Sequence, residues 1–191
     1  MAQLTETDRE PSMMAGPDSA VAPEPRISPW LRLGLLVAAV VGVLDQASKL
    51  WLLHGFELES RGRVNVAPFF DFVLTWNRGI SYGLLQQDTA LGQWLLLGVK
   101  ACAVALLGYW LLRAPSRLVA IALGLIIGGA FGNAVDRMTY GAVVDFVLFY
   151  VPMTGWEFRW YVFNLADAAI VAGVIGLLYD SVRPQRAAKA P

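Results

Sequence analysis

GNAVDRMTYGAVVDF, residues 132–146, is the stretch on which the reading of this chain turns. It sets Asn133, Asp136, Arg137 and Asp145 at the end of LVAIALGLIIGGAFG, residues 118–132, one of the most apolar segments of the sequence. Ionised groups there are costly, because a membrane core holds no water to solvate them. Asp136 and Arg137 are adjacent and could neutralise each other or cap a helix end. Asp145 has no basic neighbour in sequence, and a second such carboxylate, Asp167, follows in FNLAD, residues 163–167. Two carboxylates beside apolar segments point to a reaction or to an ion path.

The composition narrows the class. Of 191 residues, 57% are hydrophobic and 16% charged, and the mean hydropathy is +0.52. Those values are far from a soluble enzyme and close to a polytopic membrane protein. The formal net charge is zero, so the basic surface that nucleic acid requires is missing and no nucleic-acid partner is expected. Cys102, the single cysteine, can form no intrachain disulfide and is expected to be a buried small hydrophobe.

Four apolar segments are long enough, or nearly so, to cross a bilayer: residues 30–53, 92–112, 118–134 and 162–179. Residues 1–28, rich in Pro, Ser, Ala and acidic side chains, read as a disordered tail, and residues 181–191 as a basic one. Residues 29–180 then form one membrane domain. The first span carries Asp45 and Lys49, four apart on one helical face, where they can pair. Lys100 in the second span could snorkel or meet a carboxylate of another helix. The short connection at 113–117 returns the third span antiparallel to the second. In the third span Gly124, Gly128 and Gly132 form a smooth stripe against which another helix can pack closely.

Between the first two spans, RVNVAPFFDFVLTWN reads as a small strand pair with Pro68 at an edge or turn, followed by a turn at Asn77-Arg78-Gly79. Residues 143–151 also look strand-like, and 152–160 read as a turn-rich loop. His54, alone at a helix exit, is expected at the membrane interface rather than on a metal. The predicted fold is therefore an all-α membrane protein with four transmembrane helices and a small β-rich platform between helices 1 and 2.

Charge sets the orientation. Arg26, Arg32, Arg113, Arg117, Arg183, Arg186 and Lys189 all fall at the termini or in the short middle connection, which places those on the cytoplasmic side. Trp51, Trp94, Trp160 and Tyr161 would mark the outer interface, and Trp30, Trp110 and Tyr179 the inner one. Asp45, Asn77, Asp136, Asp145, Asn164 and Asp167 then gather at one level near the outer surface.

Two carboxylates forced together in a poorly solvated site share a proton, because both cannot ionise cheaply. One can act as general base on a water while the other protonates a carbonyl oxygen. Asn164 could hold one carboxylate in place, and Asp167 falls where a helix N-terminus favours negative charge. The structural alternative pairs the acids with Arg137, Lys49 or Arg159, and for Asp136 beside Arg137 that is the favoured reading. A proton or ion carrier would also use membrane carboxylates, and spacing alone leaves it open.

DQASK (45–49), TWNRG (75–79), GNAVDR (132–137), VVDF (143–146) and FNLAD (163–167) occur in the order seen in lipoprotein signal peptidase, bacterial signal peptidase II, and the chain resembles that family from about residue 30 to 179. The resemblance implies an aspartic endopeptidase of the bacterial inner membrane with Asp145 and Asp167 as the catalytic dyad. Asn133, Asp136, Arg137 and Asn164 would form its polar surroundings. Asp45, Lys49, Asn77 and Gly79 would stabilise the site or place substrate. The implied substrates are prolipoproteins whose lipobox cysteine carries a diacylglyceryl group, cut just before that cysteine. No metal or organic cofactor is implied, membrane lipid is the surrounding partner, and a monomer is expected. Both termini would be cytoplasmic and the active site near the periplasmic face. Residues 79–91 are expected to form a movable cover. Ile80-Ser81-Tyr82 stands where the family more often shows small residues and then Phe.

Overall fold

The computed structural model describes residues 27–79 and 90–183, without the side chains of residues 90–97 and 100. The two tails, the cover and the Ile80-Ser81-Tyr82 segment thus lie largely outside the described residues, as do the side chains of Trp94 and Lys100. Ser28, at the end of the expected tail, belongs to the fold. It is buried, and its Oγ donates to the Ala114 carbonyl at 2.8 Å.

The long helices are α1 (Leu31–Leu50), α3 (Ala90–Leu111), α4 (Arg117–Tyr140) and α5 (Leu165–Val182), with a short α2 (Leu58–Arg61) after the first. Among the described residues, three helical stretches are long and apolar enough to cross a membrane: Leu31–Gly55, Arg117–Tyr140 and Leu165–Val182. A π-helical turn, Trp51–Gly55, carries the first beyond α1.

α4 is the central helix, packed against α1, α3 and α5. Its glycine stripe works as the spacing implies. A Cβ on Gly128 would stand 2.5 Å from the Ala38 carbonyl and 2.9 Å from Val41 Cβ, so only hydrogen lets α1 come this near. Ser116 caps α4 by accepting from the Val119 amide at 3.2 Å. At the other end Gly141, with φ +70°, takes the left-handed conformation that suits glycine and turns the chain into the next strand.

The sheet differs from the expected platform. Its four antiparallel strands, in order β1-β2-β3-β4, come from two connections: β1 (Val64–Ala67) and β2 (Phe70–Asn77) precede α3, while β3 (Val143–Met153) and β4 (Trp156–Arg159) lie between α4 and α5. Residues 152–160 are therefore mostly a hairpin rather than a loop. Among the described residues this end of β3 pairs only with β4, an edge position that tolerates Pro152. Pro68 sits in the β1–β2 turn, as its chemistry requires.

Cys102 is exposed on α3, not buried. Among the described residues α3 packs mainly against α4, with Leu111 also reaching α1 at Gly34, and most of its surface faces outward. An apolar helix in lipid needs no burial within the protein to keep its side chains from water. Trp30, Trp51, Trp110, Trp160, Tyr179 and His54 are likewise exposed.

Candidate active site

Asp145 lies on β3, four residues beyond the glycine that ends α4. Thr75 of β2 stands directly across from it, and Asn77 across from Val143. Strand side chains alternate, so Asn77 and Thr75 share one face, and Asn77 reaches Asp145 diagonally. Its Nδ2 donates to Asp145 Oδ2 at 3.0 Å. The turn read at residues 77–79 is present, with the Gly79 amide donating to Asn77 Oδ1 at 3.1 Å.

Asn164 is the N-cap of α5 rather than a residue inside the helix, and it makes a reciprocal capping box with Asp167. Its Oδ1 accepts from the Asp167 amide at 3.0 Å, and Asp167 Oδ2 accepts from the Asn164 amide at 3.3 Å. Asn164 Nδ2 instead donates to the other carboxylate, Asp145 Oδ1, at 2.7 Å. Asn133 of α4 supplies the remaining bond, Nδ2 to Asp167 Oδ1 at 2.8 Å. All four carboxylate oxygens of the two aspartates thus accept from a neutral amide. Among the described residues neither aspartate forms an ion pair.

Asp145 is 1% exposed. Burial pushes its carboxyl up from 3.8 to about 7, with the nearby Asp167 charge acting the same way, while the Asn77 and Asn164 amides oppose the rise. Asp167 is half-buried and lines two clefts. One, of about 270 Å³, lies among α3, α4 and α5 beside Asn77, Asn133 and Arg137. The other, of about 590 Å³, runs between β3 and α5 past Phe149, Trp160 and Phe163. A water or a peptide bond at Asp167 can therefore be reached from either side.

The remaining acids behave differently. Asp45 and Lys49 pair at 2.7 Å as their spacing predicts, and both side chains are fully buried in the protein. Asp136 does not pair with its neighbour Arg137. It meets Lys49 at 2.7 Å across the α1–α4 contact. Adjacent helical residues point about 100° apart, so Asp136 faces α1 while Arg137 turns away. Arg137 donates to two carbonyls, of Asn133 and of Gly79, each at 3.3 Å. Arg159 pairs with Glu157 on the sheet at 2.6 Å, not with the site.

Gln46 has a place here that the sequence did not reveal. Its Nε2 donates to Asp136 Oδ1 at 2.8 Å and to the Gly132 carbonyl at 3.0 Å. A glutamine beside Asp45 in an otherwise apolar span was the available signal. All ten residues expected at the site occur within this connected set. Among the described residues no group of three His, Cys, Asp or Glu is arranged to hold a metal.

Residues 37–183 match the family model described as Signal peptidase (SPase) II. A lipoprotein signal peptidase of Nitrobacter hamburgensis is 61% identical over 161 residues, covering 84% of this chain and 98% of the relative. One from Rhodopseudomonas palustris strain TIE-1 is 56% identical over the same shares, and one from Methylorubrum extorquens strain PA1 is 56% identical over 84% of this chain and 90% of its own. Among solved structures, a bacterial membrane enzyme determined by the in meso method at 2.3 Å resolution shares the fold with a TM-score of 0.67 at 24% identity, covering 84% of this chain and 96% of that one. By the extent of these matches the chain belongs to the signal peptidase II family.

Proposed function

We propose that this signal peptidase II removes signal peptides from prolipoproteins by aspartic chemistry, with Asp145 and Asp167 sharing one proton. The observation that carries the proposal is the set of neutral amides around the pair. Every oxygen of both carboxylates accepts from Asn77, Asn133, Asn164 or the Asn164 backbone, and none from a cation. With no cation against either carboxylate, burial and mutual repulsion outweigh the amides, and the pair keeps a proton to donate.

Burial and the raised pKa make Asp145 the proton holder, and cleft-facing Asp167 the base. Asp167 takes a proton from water as its oxygen attacks the scissile carbonyl carbon, and Asp145 protonates the carbonyl oxygen. In the collapse the C–N bond breaks, the leaving nitrogen receives the proton from Asp167, and a hydroxyl of the intermediate returns its proton to Asp145. Each aspartate ends as it began. The two apolar clefts that meet at Asp167 suit a substrate with a helical signal segment and acyl chains on the cysteine that follows the cut.

The proposed setting is the inner membrane, with four spans, the sheet near the periplasmic face and both termini cytoplasmic. Arg32, Arg113, Arg117 and Arg183 support this, since they lie at helix ends far in sequence from the sheet. The dyad, Gln46, Lys49 and Asp136 sit where α1, α4 and α5 meet the sheet, and that is where a lipid-anchored peptide bond would arrive. One chain completes the site, which fits a monomer.

The test is cleavage of a diacylglyceryl-modified prolipoprotein by purified protein, native against Asp145→Asn and Asp167→Asn. Cutting before the lipidated cysteine by the native chain, with each variant slowed by about 10³-fold or more, is the expected result. Cleavage by either folded variant at the native rate would remove the dyad from the mechanism. Orientation is read separately in a Cys102→Ala background: an impermeant thiol reagent should label Glu59→Cys from outside intact cells and leave Ser181→Cys untouched.

A further inference from the structure

Lys49 stands between two carboxylates that the proposed chemistry does not use. Its Nζ lies 2.7 Å from Asp45 Oδ2 and 2.7 Å from Asp136 Oδ2, and all three side chains are buried. A buried ion pair is weak evidence for stability on its own account. The other contacts of the two carboxylates are more telling. Asp136 Oδ2 accepts from the Val144 amide at 3.1 Å, and Asp45 Oδ1 accepts from the Ala166 amide at 3.0 Å. Val144 immediately precedes Asp145, and Ala166 immediately precedes Asp167. Each member of the dyad is thus gripped at the neighbouring peptide unit, one on β3 and one on α5. A single ammonium on α1 joins the two grips. It also donates to Asn133 Oδ1 at 3.1 Å, the amide whose nitrogen holds Asp167.

We infer that Asp45, Lys49 and Asp136 form a clamp that sets the separation of Asp145 and Asp167. The inference rests on the dyad proposed above and deepens it. β3 and the start of α5 also meet directly, through the Val147–Phe163 bridge and through Asn164 on Asp145 and the Val144 carbonyl. The clamp adds a grip from α1 and α4 on the peptide unit just before each aspartate. The coupling of two carboxylates falls with that distance, and a shared proton depends on the coupling. The charged groups facing the clamp are Asp145 of β3, Asp167 of α5 and Arg137 of α4. Arg137 spends its hydrogen bonds on carbonyls.

The oxygen pattern makes the clamp testable. Asp136 uses one oxygen, Oδ2, for both Lys49 and Val144. In Asp136→Asn that oxygen is kept for both donors, and the new NH2 falls on the Gln46 side, where Gln46 gives up one donated bond and keeps the one to the Gly132 carbonyl. Asp45 divides its work, with Oδ2 for Lys49 and Oδ1 for Ala166. Asp45→Asn must therefore turn an NH2 towards one of two donors. In the prolipoprotein assay, per folded molecule, Asp136→Asn should keep kcat within about threefold of native. Asp45→Asn and Asp136→Leu should lose about 100-fold in kcat with KM within about threefold. In both of these the two apparent pKa values of the kcat–pH profile should move towards each other, because separated carboxylates couple less. A merely structural role would lower the folded fraction and leave that profile unchanged.

A native profile and kcat in folded Asp45→Asn or Asp136→Leu would overturn the clamp. So would an Asp136→Asn variant that falls as far as Asp136→Leu, or that fails to fold, since it retains the acceptor. If the two harsher variants do not fold, Asp136→Asn decides alone, and near-native turnover supports the clamp. Asp145→Asn in the same series separates the two failures. If it still cleaves, the dyad is wrong and the clamp has nothing to position. If it is inactive while the clamp variants keep native profiles, only the clamp is wrong.

Discussion

Asp145→Asn should make the protein inactive and, at alkaline pH, more stable. The carboxyl of Asp145 is held at about 7 in the fold against 3.8 ordinarily. That interval corresponds to about 4 kcal/mol between the protonated and ionised folded states. Between those two pH values the folded chain binds more protons than the unfolded chain, so stability falls as pH rises through the window. Asparagine carries no charge and escapes this loss. It gives up something else, because Asn77 and Asn164 both donate to Asp145, and one of them would face an NH2. A donor left unsatisfied in a buried place costs about 1–2 kcal/mol. The variant should therefore be about 2–3 kcal/mol more stable than native at pH 8 and about 0.5–1.5 kcal/mol less stable at pH 4. For a chain of this size that is a rise in Tm of roughly 5–10 °C at pH 8 and a smaller fall at pH 4. Thermal unfolding in one detergent at a fixed scan rate, followed by tryptophan fluorescence, reads both. A variant that is destabilised equally at the two pH values would refute the reasoning, since Asp145 would then titrate as an ordinary carboxylate.

Asn77→Ala removes the amide that most opposes the rise at Asp145. The alkaline limb of kcat, where Asp145 must keep its proton, should move upward by about 0.5–1 pH unit; a downward move would contradict the proton assignment. The glycines of α4 and α3 should respond in opposite directions. Gly128→Ala forces a methyl against the Ala38 backbone and should cost about 1–3 kcal/mol. Gly108→Ala meets nothing within 4 Å and should stabilise by about 0.5–1 kcal/mol; equal effects in denaturation would show that the stripe is not a packing device.

The helices and the identity of the polar residues were legible because hydropathy and charge act along the chain. Three of the expected spans return as long apolar helices, and the acids and amides expected to gather return as a single hydrogen-bonded network. Boundaries were less legible. α4 runs on to Tyr140, beyond the expected end at 134, because the polar residues 133–137 are helical and face α1 and the clefts. The partner of Asp136 could not be read from sequence, since the adjacent Arg137 is the obvious choice until the helix rotates it away. Lys49 lies 87 residues earlier and becomes available only when the Gly128 and Gly132 face admits α1. The strand at 156–159 was hidden by Pro152 and the turn residues around Gly155, features that oppose strand formation locally but fit an edge hairpin. Cys102 was misplaced by a rule of soluble proteins, where apolar means buried.

Under the proposed chemistry, the segregation of charge explains why so many polar residues surround a reaction assigned to two. A lysine placed directly against Asp145 or Asp167 would favour the ionised form of both and leave no proton to donate. A pair with no donors at all would be too costly to ionise, and neither could act as base. Neutral amides lie between these limits. Lys49 therefore spends its charge on Asp45 and Asp136 and reaches the dyad through their two grips and through Asn133, whose Oδ1 accepts from it at 3.1 Å while its Nδ2 donates to Asp167 at 2.8 Å. Its charge opposes the rise at Asp145 less than the two amides do. Lys49→Met should then harm the site in a particular way. Asp45 and Asp136 would be left as unpaired buried carboxylates, a loss of about 3–5 kcal/mol. Lys49→Met combined with Asp136→Asn should recover much of that stability, because one of the uncompensated charges is gone, while turnover stays low without the bridge between the two grips. Recovery of turnover together with stability in the double variant would mean that Lys49 serves only to neutralise charge.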